Sequence, residues 1–477
     1  MSSQAGVGRL DRFFQITARG SSVRAEVVAG VTTFMTMAYI LFVNAAILGG
    51  VPDRDGHKLA FAAVLTVTAL SAGVSTLAMG VVANYPFALA AGMGLNAVVA
   101  FQLVAGAGLS WAEAMGVVVL EGLLITALVL TGFREAVMAA IPLALKRAIG
   151  VGIGLFIAFI GLTTGGIIGK PAAPSLRVEL GEGGVLRGAP TGIFIVGLLL
   201  MAFLLARRTR GALLVGIVAT TSLAVAVNEG LYGGAAWAHI APGMARLPQS
   251  VLAIPAAENF DLLGAFSFGF IGKMGPLAAG LAVFTLMLSD FFDTMGTVIG
   301  LGSKAGFLDA EGRLPRVRRV LLIDSLAAAL GGAFSASSNT TYIESASGIA
   351  EGGRTGLANV VTAAMFFGSL LLWPLADVVP PQATGPALVL VGFMMLELVR
   401  EIPWDDAEVA IPAFLTMVMM PFTYSITNGI GAGFVSYVVI KLLRGRWREV
   451  RPVMGAAAAA FAVYFGMHYV RRALGLP

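Results

Sequence analysis

Apolar runs of about 20 residues recur along nearly the whole chain. As helices, each is long enough to cross a hydrocarbon layer roughly 30 Å thick. Lipid offers no hydrogen-bond partners, so such a run must close its backbone bonds within itself, which a helix does. Composition agrees. Of 477 residues, 58% are hydrophobic and 12% charged, with a mean hydropathy of +0.89, whereas soluble domains average roughly 45–50% and about 25%. The expected fold is therefore an all-α polytopic membrane protein. Spans are read near 26–48, 59–82, 111–132, 148–168, 191–206, 211–228, 275–301, 317–333, 356–376, 384–399, 409–426 and 428–443, with shorter interrupted segments near 86–103 and 336–350. An Ala-rich stretch at 453–470 is read as a peripheral helix.

Residues 1–24 are polar, carry four arginines and show no cleavable signal. With the N-terminus inside, the inside turns hold 22 Lys and Arg and the outside turns hold 7. That bias orients the chain by the positive-inside rule. It also explains the net charge of +5 and the pI near 9.6 without a nucleic-acid partner. The expected organisation is a cytoplasmic segment 1–24, a seven-span repeat 25–230, an extracytoplasmic linker 231–273, a second repeat 274–444 and a C-terminal segment 445–477. The cell membrane is the expected location.

The interrupted segments read ANYPFALAAGMGLNAVVAF (83–101) and GGAFSASSNTTYIESASGIAEGGRTG (331–356). Each is the third span of its half. Gly, Pro, Ser, Thr and Asn at membrane depth survive only where backbone is buried in protein or lines a cavity. Interruptions at matching positions of two halves point to a transporter site between inverted repeats. The plainer reading is that the glycines only let helices pack closely. The cluster Ser337-Ser338-Asn339-Thr340-Thr341 is rich in N-cap residues, so a half-helix with free N–H groups facing a cavity is expected after it.

Acids inside spans are costly. Glu26, Asp377 and Glu397 lie near span ends, and Glu113 is at the mouth of its span. Glu121 and Asp324 are deeper and are read as braces hydrogen-bonded to neighbouring helices. Asp290 and Asp293, in LMLSDFFDTMG, are three apart and share one helix face. Together with Glu344 they are read as a ligand and proton site. A carboxyl accepts hydrogen bonds when ionised and donates one when protonated, which suits a planar heterocycle bearing N–H groups. Phe291, Phe292 and Tyr342 offer ring faces for stacking, and Asn96 offers a donor and an acceptor. There is no GxxxxGK[ST] loop for ATP and no cysteine. His57, His239 and His468 suggest no metal cluster. The reading calls for no enzyme activity, no cofactor and no metal.

At these residues the chain closely resembles the AzgA-like purine permeases, a branch of the nucleobase–cation symporters related to the xanthine/uracil permeases. The matching pieces are AEVVAGVTTFMTMAYILFVN (25–44), the first interrupted segment, LSDFFDTMGTVIG (288–300), TTYIESASGIAEGGRTGL (340–357) and IPAFLTMVMMPFTYSITNGI (411–430). The resemblance implies a fourteen-span, 7+7 inverted-repeat fold with core and gate domains, in which spans 3 and 10 are broken half-helices. It implies proton symport of adenine, guanine or hypoxanthine by alternating access, while the sequence leaves sodium open as the coupling ion. It makes Glu344 the main base-binding acid and Asp290 a partner in binding or proton coupling. Asp293 is supporting and Asn96 shapes the pocket; Thr341 and Phe291 complete the candidate substrate-binding set. Related transporters are often homodimers. Ala91, Ala45 and the run 337–339 depart from the family pattern, which bears on the preferred substrate. The rivals are a xanthine/uracil-type symporter and a sulfate-permease-type anion transporter of the same architecture. A fixed carboxylate beside an anion site counts against the second.

Overall fold

The computed structural model describes residues 8–132, 141–169, 178–237, 244–248, 250–309 and 314–466. His239, His468, Arg471 and Arg472 lie outside them, as do Arg134, Lys170, Arg177, Arg313, residues 467–470 of the Ala-rich stretch and the side chain of Asp377.

Among the described residues, ten helices are long and apolar enough to cross a membrane. A short helix α1 (Arg9–Phe14) precedes α2 (Val23–Met37), which Ser22 caps by accepting from the Ala25 amide. α2 runs on through α3 (Tyr39–Gly50) as one 28-residue span. α4 (Phe61–Ala78) ends in a π-helical turn at Met79–Ala83. The first interrupted segment then forms strand β1 (Leu89–Ala91), the short helix α5 (Met93–Ala97) and π-helical turns over Val98–Gly106. α6 (Trp111–Thr131) opens on a capping box between Ser110 and Glu113. α7 (Leu143–Thr164), the hairpin β2 (Ile168–Gly169) and β3 (Glu179–Leu180), α8 (Ala189–Ala206) and α9 (Ala212–Tyr232) follow.

The second half holds α10 (Phe270–Met274), the 29-residue α11 (Pro276–Lys304), α12 (Val317–Ala333), strand β4 (Asn339–Thr341) and the six-residue α13 (Ser345–Ala350). It ends with α14 (Gly356–Ser369), α15 (Pro381–Met395), α16 (Ala407–Thr423), α17 (Ile426–Leu443) and α18 (Pro452–Phe465). α18 lies antiparallel to α17, with Phe461 edge-on to Phe434 at 6.0 Å.

Helices pack in two groups. α6 lies on α12, and α14 on α2 and α4; separately, α7 lies on α15 and α16, and α8 on α9 and α15. Glycines stand where helix backbones approach closely. A Cβ on Gly122 of α6 would sit 2.3 Å from the Ala329 amide of α12, and one on Gly392 of α15 would sit 2.3 Å from the Gly154 carbonyl of α7. Small residues at such points let two helix backbones meet, which drives association where lipid removes the hydrophobic incentive.

The two interrupted segments solve one another's backbone problem. β1 pairs antiparallel with β4, Leu89 opposite Thr341 and Ala91 opposite Asn339. Beyond the ladder, the Gly92 amide donates to the Ser338 carbonyl at 2.9 Å and the Tyr342 amide to the Ala88 carbonyl at 2.9 Å. Thr76 of α4 bonds both the amide and the carbonyl of Leu89, at 2.9 Å each. Non-helical backbone is thus buried in protein with its polar groups paired, the condition for its survival away from water.

Candidate substrate site

The expected half-helix cap is corrected by the structure. Asn339, Thr340 and Thr341 are strand residues, and the position before α13 is Glu344, whose side chain makes no cap. Most of the polar side chains of the cluster turn sideways to neighbouring helices instead, while Ser337 Oγ has no partner among the described residues. Asn339 donates to Ser75 Oγ at 3.1 Å. Asp324 Oδ1 accepts from the Thr341 amide at 3.0 Å and from its hydroxyl at 2.8 Å. Asp324 Oδ2 accepts from Thr294 Oγ1 at 2.6 Å. With its proton committed there, Thr294 accepts from the Thr340 hydroxyl at 2.9 Å. Asp324, on α12, therefore braces β4 against α11, the role expected for it.

Glu344 is held at both ends. Its Oε1 accepts the Tyr39 hydroxyl at 2.7 Å, and Tyr39 is 1% exposed. Its backbone carbonyl accepts Ser347 Oγ at 2.6 Å, and Ser347 Oγ lies 2.8 Å from Thr36 Oγ1. The carboxyl itself is half-buried. Asp293 is exposed and lies within electrostatic reach of Glu344 and Asp324. Gly296 and Ile299 on the next turn of α11 are also exposed, as is Ile343 beside Glu344. An accessible face therefore runs from Asp293 toward the Lys304 end of α11.

The other predicted residues are placed less uniformly. Asp290 is the central residue of α11 and 1% exposed. Phe291 is fully buried in the apolar core, so its ring serves packing. Phe292 lies under the Lys146 ammonium, 5.8 Å from the ring centroid. Tyr342 is buried and donates to the Ala91 carbonyl at 2.5 Å. Thr341 is tied to Asp324. Asn96 sits on α5, which packs against α11; it is fully buried and neither amide atom has a partner among the described residues. A buried amide with both ends idle is rare and calls for an occupant or a second conformation. A cavity of about 340 Å³ lies apart from all of these, between Val98–Gly106, the start of α11 and the α16–α17 turn.

Sequence reasoning missed three residues. Tyr39 is 305 positions from Glu344, and its only signal is a hydroxyl inside the apolar run MAYILFV, where a buried phenol needs a partner. Lys146, one of the 22 inside charges, belongs to the first turn of α7. Glu26, read as a span-end acid, is fully buried. Its carboxylate accepts the amides of Arg354 at 2.9 Å, Thr355 at 3.1 Å and Ala358 at 3.2 Å, at the N-terminus of α14 where backbone donors favour an anion.

Among the described residues, ten helices of membrane-crossing length around a buried strand crossing make this an integral membrane protein, and the permease family it matches makes it a transport protein. A family model described as the permease family, of the xanthine/uracil type, matches residues 24–432, and the chain belongs to that family. It is 38% identical over 458 residues to the guanine/hypoxanthine permease PbuG of Bacillus subtilis, covering 95% of this chain and 98% of that one. It is 39% identical over 459 residues to the adenine permease AdeQ of Escherichia coli, covering 96% of each. The murine Slc26a9 anion transporter in its inward-facing state matches at TM-score 0.62 with 12% identity, over 93% of this chain and 73% of that one. That likeness concerns the fold alone.

Proposed function

We propose that the chain imports purine nucleobases, namely adenine, guanine and hypoxanthine, by proton symport across the cell membrane, with its N-terminus cytoplasmic. The observation that carries this is the pairing of Glu344 with Tyr39 beside the accessible Asp293. The purine assignment is supported by relatives named for those substrates. Glu344 receives the N–H groups of the base, Asn96 supplies the idle amide, and Asp293 with Asp290 exchanges the proton. Asp293 faces the accessible side and reaches Glu344, which gives it a larger part than a supporting one. Phe291 and Thr341 act at one remove, by packing and by holding β4.

In this reading the chain makes fourteen crossings in a 7+7 inverted repeat, with β1–α5 and β4–α13 inside spans three and ten. The group containing α6, α11, α12 and α14 is the core that carries the site. The group containing α7, α8, α9 and α15 to α17 is the gate it moves against. The test is uptake of radiolabelled adenine and guanine by cells expressing the protein, challenged with purines, pyrimidines, xanthine and sulfate. Competition by purines alone supports the assignment, and competition by sulfate overturns it. A protonophore collapses accumulation and removal of sodium does not; the opposite pair of results refutes proton coupling. Glu344→Gln abolishes uptake while the protein stays in the membrane, and wild-type uptake by that variant removes Glu344 from the site.

A further inference from the structure

The sequence reads Glu121 as a brace, as it does Asp324, but its surroundings differ from those of the bracing carboxylates Glu26 and Asp324. It is the central residue of α6 and completely buried. Its Oε2 accepts a single long bond, from Ser338 Oγ at 3.4 Å, and Oε1 has no partner among the described residues. Glu26, equally buried, accepts three backbone amides, and Asp324 accepts three donors. A brace makes bonds of that kind; Glu121 does not.

Its neighbours are acids and hydroxyls. The close contact of α6 with α12 at Gly122 brings Glu121 within electrostatic reach of Asp324, which in turn reaches Asp293, and Asp293 reaches Glu344. Ser338 Oγ bonds Glu121, while the hydroxyls of Thr341 and Thr294 bond Asp324 and that of Thr340 bonds Thr294. A hydroxyl donates and accepts at once, so each acid has a neighbour able to take up or hand on a proton. The cations near α6 stand at its ends, roughly 12 Å from Glu121 along the helix. Lys273 of α10 pairs with Glu113 at 2.7 Å, and Arg318 of α12 donates to the Leu130 carbonyl at 2.8 Å. α11 presents Asp290 at its centre and Lys304 only at its last turn, and the Val98–Gly106 turns carry no charge.

We propose that Glu121 is a proton-holding residue of the transport cycle, exchanging its proton with the Asp293–Glu344 end of the site through Asp324 and the hydroxyls bonded to these acids. The step is a proton transfer alone: Glu121 passes from CO₂H to CO₂⁻, the proton goes to Asp324 and then to Asp293, and it returns by the same path. This rests on the purine/proton reading. Glu121 does not touch the base, so it governs coupling rather than recognition.

The test uses the full chain reconstituted in proteoliposomes. One assay measures radiolabelled purine accumulation driven by a pH gradient, and the other measures purine counterflow with no gradient. Glu121→Gln keeps the size and hydrogen-bonding of the side chain without an exchangeable acid proton. Its gradient-driven accumulation falls about tenfold or more and loses pH dependence, while counterflow stays within about threefold of wild type, the behaviour of a lost relay. Glu121→Asp recovers part of the accumulation. Wild-type accumulation and pH profile in Glu121→Gln overturn the proposal. Loss of both assays also overturns it, and the melting temperature of the variant then says whether folding or binding failed. A wild-type protein that moves no purine in either assay refutes the substrate reading instead.

Discussion

Tyr39→Phe removes one oxygen from the candidate site and leaves everything else in place. The ring stays in its buried slot, since Tyr39 is 1% exposed, and the Glu344 backbone remains held by Ser347. What is lost is the 2.7 Å bond from the phenol to Glu344 Oε1. A hydrogen bond to a charged group contributes about 1.5–3 kcal/mol. Glu344 is half-buried beside an accessible face, so water recovers part of that, and the net loss falls at the lower limit, about 1.4 kcal/mol or tenfold. That loss appears as disorder of the carboxyl that receives the base. The KM for purine uptake is therefore expected to rise about tenfold with a smaller change in kcat, as for an interaction made in the bound state. The assay is initial-rate uptake across a substrate series, with surface expression measured in parallel. A KM within about twofold of wild type would mean that the hydroxyl does not orient Glu344 for binding.

Other consequences can be checked separately. Asp324→Ala leaves the Thr341 amide and two hydroxyls without their acceptor, at about 1–3 kcal/mol each, so its unfolding midpoint in detergent falls well below that of Asp324→Asn, which keeps one acceptor oxygen; equal midpoints refute the bracing role. Gly122→Leu forces α6 off α12, where even a Cβ meets backbone at 2.3 Å, and it is expected to abolish monodisperse protein on size-exclusion chromatography. Near the C-terminal end, Lys441 and Arg446 hold the Glu449 carboxyl below its ordinary value of 4.5. A lowered folded value means its stabilisation is complete above that pH and disappears as the pH falls through the folded value. Melting temperature should therefore drop on acidification below about pH 4.5 in wild type and drop less in Glu449→Gln; equal slopes refute the contribution.

Much of the fold was legible because membrane crossing imposes long apolar runs, and the helices fall within a few residues of the expected spans. The interrupted segments were legible as interruptions. Their pairing was not, because Leu89–Ala91 and Asn339–Thr341 are three residues long and show no alternation of polarity. For the same reason the run from Ser337 to Thr341 read as helix caps: the side chains that cap also bond sideways, and local sequence does not distinguish the two. Depth alone marked both Asp324 and Glu121 as braces, and only packing showed that Asp324 makes the bracing bonds while Glu121 does not. Tyr39 and Lys146 were not, since their partners Glu344 and Phe292 come from the other half of the chain. The separation of Asp290 from Asp293 was also hidden. A three-residue spacing places both on one side of a helix, but only packing decides that one is sealed and the other open.

The strand crossing has a consequence for how the protein is made. β1 leaves the ribosome about 250 residues before β4, its hydrogen-bonding partner, and long sequence separation delays such contacts. Until then the first interrupted segment enters the bilayer with amides and carbonyls that lipid cannot satisfy. Until β4 arrives, the nascent chain must keep that stretch in water, in an insertase or against its own helices, where Thr76 already serves Leu89.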